Sequence, residues 1–344
     1  MNDPTTNKYT ELLSGHSTWS SFSEFIRIYK YYSFAENKAI FSSYPGCLSS
    51  TDDFYLTNHN LLIMETTIEV VDLSLYKNEL DENDYIPSFM RVLQPTFFAK
   101  SAKEWVEIFN KNKVGSYSSQ WMILDYNIFE KDIKGKTHTE AKNVKQMIYI
   151  LEEIPNQIEY HDISKFLFKH SYFGSYNRAF LSSSKKSLNQ KLIENLYGER
   201  FSYKLASRAL IFSHYAKDIK TLKDMDFIMR YNGYLQENDW KEDPSRKSPS
   251  KGISARFDLE KKSLFELSGG VDSKITNLSL IKTMSSIAVA GPSRGNNKKM
   301  NPFDWNDFKD SREQHEGVPQ KIEFEHVIMS PSTIDKTSEA YKLE

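Results

Sequence analysis

The sequence predicts an α+β fold with largely antiparallel sheets covered by helices. Short β-forming runs come first, the stretch of roughly 160–232 is mostly helical in pattern, and strand-like runs return from about 253. Strands, helices and strands in blocks, without regular β-α alternation, exclude a doubly wound parallel sheet.

Taken in order, Ser21-Phe22-Ser23-Glu24 has the spacing of a capping box, and Phe22, Phe25, Ile26 and Tyr29 repeat at three and four residues, which predicts a helix over 21–33. Beyond Pro45-Gly46, two β-forming runs, Asp53 to Thr57 and Leu61 to Thr67, flank the polar turn Asn58-His59-Asn60 and predict a hairpin. Ser101-Ala102-Lys103-Glu104 is a second capping box, followed by Trp105, Ile108 and Phe109, so 102–112 is expected to be helical. The apolar runs 121–126 and 147–151 have strand length and read as buried central strands. In the middle third, Leu188, Leu192, Ile193 and Leu196 share a helical face, as do Leu222, Met225, Ile228 and Met229. Strands are predicted at 253–259, 264–267, 286–290 and 321–329, and polar loops at 236–251 and 293–302. No internal repeat or long linker divides the chain, so residues 1–344 are expected to form a single domain.

Composition narrows the function. The 45 Lys+Arg against 46 Asp+Glu leave a formal charge of -1, which gives no global field for nucleic acid or an anionic membrane. With 22 Phe, 20 Tyr and 5 Trp the chain is able to bury a large core. No apolar run reaches the roughly 18 to 20 residues of a membrane span, and Met1 to Lys8 lack the basic and apolar regions of a signal peptide. The single cysteine, Cys47, excludes an intrachain disulfide and a Cys-based zinc site, and is expected to be a buried free thiol. The eight His show no H-x-x-x-H spacing, so neither a metal nor a cofactor is predicted. No P-loop, dinucleotide fingerprint or Gly-x-Ser-x-Gly elbow is present, and Gly269-Gly270 reads as a tight turn. Asn277-Leu278-Ser279 is a lone glycosylation sequon.

Longer strings carry more. They run in order through Gly15-His16-Ser17-Thr18-Trp19, Ser43-Tyr44-Pro45-Gly46, Asp52-Asp53-Phe54-Tyr55, Met64-Glu65-Thr66-Thr67 and Gly115-Ser116-Tyr117-Ser118-Ser119-Gln120-Trp121-Met122. Gly174-Ser175-Tyr176-Asn177, Ser207-Arg208-Ala209, Met229-Arg230-Tyr231-Asn232, Ile253-Ser254-Ala255-Arg256, Gly269 to Lys274, Gly291-Pro292 and Phe303-Asp304-Trp305 follow. Together, over almost the whole chain, these strings resemble the phospholipase B-like family of N-terminal nucleophile hydrolases.

The resemblance implies a four-layer αββα sandwich of mainly antiparallel sheets between helices. It implies an acyl hydrolase acting on phospholipids or lysophospholipids, or a related amidase on N-acyl substrates, lysosomal or secreted, with its own cleaved N-terminal fragment as a partner. In such enzymes an N-terminal Cys attacks the acyl carbonyl while its own α-amino group, of pKa about 7.7–8, serves as base. By resemblance His16 steers or protonates the nucleophile, Trp19 walls the acyl site, Asn177 gives an amide to the oxyanion, and Arg208 lowers the thiol pKa or orients the amine. Thr66 and Thr67 would line the substrate cleft, and Phe303 and Trp305 would pack the core. As isolated residues, His16 reads as a core histidine, Asn177 as a turn closer, Arg208 as a helix-face charge and the threonines as β-formers.

The departure from the family pattern is at the front. The nucleophile strand and its turn need roughly 14 to 18 residues between the Cys and His16. Only 15 residues precede His16, none of them Cys, and Cys47 has no free α-amine. The expectation is that the sequence starts just after the true nucleophile; the alternatives are a degenerate lipid-binding copy or a different nucleophile at the real start.

Overall fold

The computed structural model describes residues 6–78, 86–111, 117–236, 239–295, 298–309, 311, 313–333 and 340–341. Outside them lie Thr5, residue 112 of the expected second helix, Gly115 and Ser116, residues 237–238, and Asn296 and Asn297 of the polar loops. The described chain forms two compact units, one of Met1–Leu12, Tyr29–Ala206 and Leu278–Met284, the other of Leu13–Ile28, Ser207–Asn277 and Ser285–Glu344. Both are mixed α and β with antiparallel sheets, the class that the blocks of strand and helix predict. Among the described residues no helix is long and apolar enough to cross a membrane.

The second unit opens with strand β1, Ser14–Ser21. The first unit is built on a seven-stranded sheet whose neighbours follow chain order: β2 (Ile28–Phe34), β3 (Asn37–Ser43), β4 (Phe54–Thr57), β5 (Leu61–Thr67), β6 (Ser119–Asp125), β7 (Ile148–Ile154) and β8 (Gln157–Asp162). Pairing is antiparallel from β3 through β8. The expected hairpin is β4–β5, turned at Asn60, whose φ of 56° is one that Asn tolerates. Both faces of the sheet are dry. Leu62, Met64, Met122, Leu124, Ile148 and Ile150 pack one side; Leu61, Ile63, Trp121, Ile123, Tyr149 and Leu151 pack the other, against Val92, Trp105 and Val106. Near-continuous apolar runs at 121–126 and 147–151 reflect this double burial.

The helix Ala102–Phe109 starts where its capping box predicts: Ser101 Oγ accepts from Glu104 N at 3.1 Å, and Glu104 accepts from Lys100 N at 2.8 Å. The helix expected at 21–33 is not there. Ser21 Oγ accepts from Ser23 N rather than from Glu24 N, and Glu24 takes the Ser20 hydroxyl at 2.7 Å, so only the 3-10 turn Phe22–Glu24 forms. The following Ile28-Tyr29-Lys30-Tyr31-Tyr32 is rich in β-formers, and its period is two: Tyr29 and Tyr31 pack one face of the sheet and Tyr32 the other.

In the second unit β1 pairs with β9 (Ser268–Thr276), which pairs with β10 (Ser286–Ala290). A two-stranded sheet of β11 (Phe303–Asp304) and β12 (Lys321–Ile322) stands apart, and β13 (His326–Met329) and β14 (Ala340–Tyr341) extend the main sheet to the order β1-β9-β10-β13-β14. Phe303 and Trp305 are core, packed with Phe22, Phe25 and Val271. The strands expected at 253–259 and 264–267 are absent: residues 257–259 are a 3-10 turn, 264 lies in a turn, and only Arg256 makes a bridge, to Gly269. The glycine pair explains this. Gly269 and Gly270 are not a turn but the start of β9, where a Cβ on Gly269 would stand 2.2 Å from Ala255 O and one on Gly270 2.2 Å from Ser254 Oγ. Bare backbone lets 254–256 press onto the strand, with Gly270 N donating to Ala255 O at 2.9 Å, in place of forming a strand of its own. The 236–251 loop contains the helical turn Pro244–Lys247, capped by Asp243, and the 3-10 turn Pro249–Lys251. Cys47 is half-buried rather than buried, in the turn after Pro45-Gly46. Asn277 of the sequon is buried.

Trp105 is fully buried, stacked on Phe109 at 4.9 Å, tilted against Trp121 at 5.3 Å, with its indole N–H on Thr96 Oγ1 at 3.2 Å. Trp105→Ala is expected to lower unfolding free energy by about 3–5 kcal/mol in urea titrations. A loss below about 1 kcal/mol would mean that this cluster is not a rigid core.

Candidate functional site

Six residues were assigned to the site from the sequence, and they fall in two groups. His16, Trp19 and Arg208 belong to the second unit; Thr66, Thr67 and Asn177 belong to the first.

In the second unit, β1 pairs with β9 in a register that sets His16 opposite Lys274 and Thr18 opposite Asp272. All four are buried, Lys274 with no exposure at all. A lone charge there would be prohibitive, so each is answered. Lys274 Nζ donates to both Asp272 carboxylate oxygens at 2.8 Å and to Thr18 Oγ1 at 2.8 Å. Thr18 N donates to Asp272 Oδ1 at 3.2 Å, and Arg27 Nε lies 3.7 Å from Asp272 Oδ2. Burial alone would raise the Asp272 carboxyl, but Lys274 and Arg27 outweigh it and hold it below the usual range. His16 Nδ1 is 3.4 Å from Thr18 Oγ1. Gly15 is required by packing: a Cβ there would meet Met229 at 2.7 Å, on the helix Leu222–Met229 that lies against β1. His16 is therefore inside the strand, not at its end.

A register shift between Thr18 and Trp19 ends this charged row. The Trp19 indole N–H donates to Ile253 O at 2.8 Å, its ring meets Phe257 edge-on at 5.7 Å, and the Arg208 guanidinium lies over it at 4.4 Å. Arg208, from the helix Ser207–Tyr215, is thus joined to Trp19 by a cation–π contact. Sequence reading paired neither residue with a neighbour, and it missed Thr18, Arg27, Asp272 and Lys274. The signal available was Asp272-Ser273-Lys274 itself, two opposite charges two apart on a strand, hence on one face.

In the first unit, β5 runs from an apolar stretch into Glu65-Thr66-Thr67 at its end. Thr66 Oγ1 bonds the Ser175 hydroxyl, and Thr67 Oγ1 bonds the Tyr117 phenol. Asn177, at φ 63°, donates from Nδ2 to Thr67 O at 2.7 Å. Its own carbonyl accepts from Arg178 Nη1 at 2.7 Å and from Glu69 N at 3.4 Å. The Asn177 amide thereby holds the loop to β5. Glu65 is buried, and burial, followed by the adjacent Asp53, pushes its carboxyl well above the usual range. Burial and then the Glu65 charge push the Tyr117 phenol up to about 12.

Comparisons with known proteins give the family. Residues 5–329 match the family model described as phospholipase B. The chain is 33% identical to phospholipase B-like protein G of Dictyostelium discoideum, covering 94% of this chain and 54% of that one. It is also 33% identical to a phospholipase B of Crotalus adamanteus, over 94% and 56% of the two chains. Among solved structures, a mutant conjugated bile acid hydrolase of Clostridium perfringens matches with a TM-score of 0.41 and 10% identity, over 96% of this chain and 97% of that one. The chain belongs to the phospholipase B family. It spans little more than half the length of these relatives.

The raised Glu65 carboxyl has a definite sign. A group that stays protonated in the folded chain after it ionises in the unfolded one makes stability fall as pH rises through the ordinary Glu range toward the folded value. Glu65→Gln should therefore gain stability over the parent progressively from pH 4 toward 7 in urea titrations. An equal difference at both pH values would remove the raised carboxyl.

Proposed function

We propose that the chain is the acyl-hydrolase portion of a phospholipase B-type enzyme that cleaves fatty acyl ester bonds of phospholipids or lysophospholipids by N-terminal nucleophile chemistry. The observation that carries this reading is the family match across residues 5–329. On it, residues 1–344 work as a single domain, and the protein is lysosomal or secreted. The nucleophilic Cys is not Cys47, which sits mid-chain in a turn without an α-amine. It lies on a strand added beside β1, which stands at the end of its sheet. The N-terminal fragment released when that Cys is exposed is a candidate partner.

The chemistry follows from that placement. The Cys thiol passes its proton to its own α-amine, and sulfur attacks the acyl carbonyl carbon. The oxygen takes the electron pair and is met by donors, among them the Asn177 amide. Collapse expels the lysolipid or glycerol oxygen, which leaves with the amine's proton. Water then cleaves the thioester, giving the fatty acid and the free thiol. His16 hydrogen-bonds an oxygen of the reacting centre, Trp19 carries acyl chain on its ring, Arg208 supplies positive charge near the thiolate, and Thr66 and Thr67 line the cleft.

The test uses the natural full-length protein with phospholipid, lysophospholipid and N-acyl amide substrates. Ester hydrolysis is expected, and Asn177→Asp, which keeps a residue tolerant of positive φ, should lower turnover about 10²- to 10³-fold without unfolding. Arg208→Leu should also lower turnover by orders of magnitude. Unchanged turnover removes those two assignments. Amide cleavage alone would make the enzyme an amidase, and saturable lipid binding without product would make it a catalytically inactive lipid-binding homologue.

A further inference from the structure

The row of side chains on the β1–β9 pair has a direction. Residues 16 and 18 of β1, with 272 and 274 opposite them, share a face of the sheet. At one end Asp272 accepts, carrying no proton to give. Lys274 Nζ is donor only; it donates to Asp272 and, at 2.8 Å, to Thr18 Oγ1. The Thr18 hydroxyl oxygen therefore receives a charged donor and keeps its own proton to pass on. The neighbour the structure gives that proton is His16 Nδ1, at 3.4 Å, a contact whose direction the ring tautomer sets. Every member is buried, with exposures of 9% for His16, 7% for Thr18, 5% for Asp272 and 0% for Lys274, so water does not scramble the order.

We propose that Asp272, Lys274 and Thr18 are positioning residues that hold His16 as the neutral imidazole with Nδ1 accepting and the proton on Nε2. The relay gives the ring one defined face to the reaction, an N–H rather than a lone pair. Such a histidine hydrogen-bonds the oxygen of an acyl group or its leaving alcohol, and leaves the base role to another group. That use of His16 rests on the acyl-hydrolase reading; the tautomer does not.

The test separates the two. In the full natural protein with ¹⁵N-labelled histidine, the His16 ring signals are assigned by their loss in His16→Gln, and long-range ¹H–¹⁵N correlations read which nitrogen carries the proton. The expected pattern at neutral pH is Nε2–H alone. Thr18→Val, which keeps the shape and deletes the hydroxyl, should give a mixture or the Nδ1–H form, and Thr18→Ser should restore the parent pattern. An Nδ1–H form or an imidazolium in the unsubstituted protein overturns the relay whatever the variants do, as does an unchanged pattern in folded Thr18→Val. In the lipid assay Thr18→Val should lose about a hundred-fold in turnover, the scale of a positioned acid–base group, and Thr18→Ser should recover it. Absence of hydrolysis by the unsubstituted protein, with the Nε2–H pattern intact, defeats the acyl-hydrolase reading and leaves the relay standing.

Discussion

The pairing of β1 with β9 is the constraint on which the second unit depends. It fixes which four polar side chains meet, because in an antiparallel pair a slip of one residue would put residues 16 and 18 of β1 on the face opposite that of 272 and 274. His16, Thr18, Asp272 and Lys274 are mutually satisfying only in the observed register. In any other, Lys274 would keep Asp272, two residues away on its own strand, but would lose Thr18 Oγ1, and Asp272 would lose the Thr18 N–H. The register shift after Thr18 then frees Trp19 from the charged row and turns it to Phe257 and Arg208. Charge and aromatic surface are thereby kept on one strand without sharing one environment.

The first unit reaches a similar end by another route. Its central strands bury apolar residues on both faces, so on β5 the polar groups gather at the strand end. β5 shows the boundary in seven residues, from Leu61-Leu62-Ile63-Met64 to Glu65-Thr66-Thr67. The hydroxyls there are tied to Ser175 and Tyr117, and the backbone to Asn177, so the cluster is organised before any ligand arrives. Positive φ at Asn177 is held by three hydrogen bonds around its peptide and amide. The strain of that conformation is small for Asn and is offset locally.

Much of this was legible in sequence. The capping box at Ser101 and the β4–β5 hairpin were read from turn and cap chemistry that is local, and local chemistry survives folding. The same reasoning failed at Ser21, where the capping residues have the right spacing but the residues after them favour a strand and the sheet offers them a partner. It failed again at Gly269-Gly270, because a glycine pair in a turn and a glycine pair under a crossing backbone look alike until Ala255 is seen against them. The six proposed site residues came from resemblance, and their partners did not. The pairing of Lys274 with Asp272 is legible in their spacing, but its bond to Thr18, more than 250 residues away, is visible only once β1 is placed beside β9.

The buried ions themselves argue for a positional role. An ion pair withdrawn from water gains in Coulomb attraction about what it loses in hydration, and apolar replacements of the same volume are often as stable or more so. A β9 with leucine and methionine at positions 272 and 274 would fill the same volume, although Arg27, Arg230 and the Thr18 N–H would then lose Asp272. What the apolar version lacks is direction: methyl groups do not tell a hydroxyl which way to point. Asp272 anchors Lys274, Lys274 occupies one lone pair of Thr18, and the remaining proton of Thr18 is left for His16. Arg27 and Arg230 add positive charge to the same interior, Arg230 lying buried where Asp226 and Asp272 answer it.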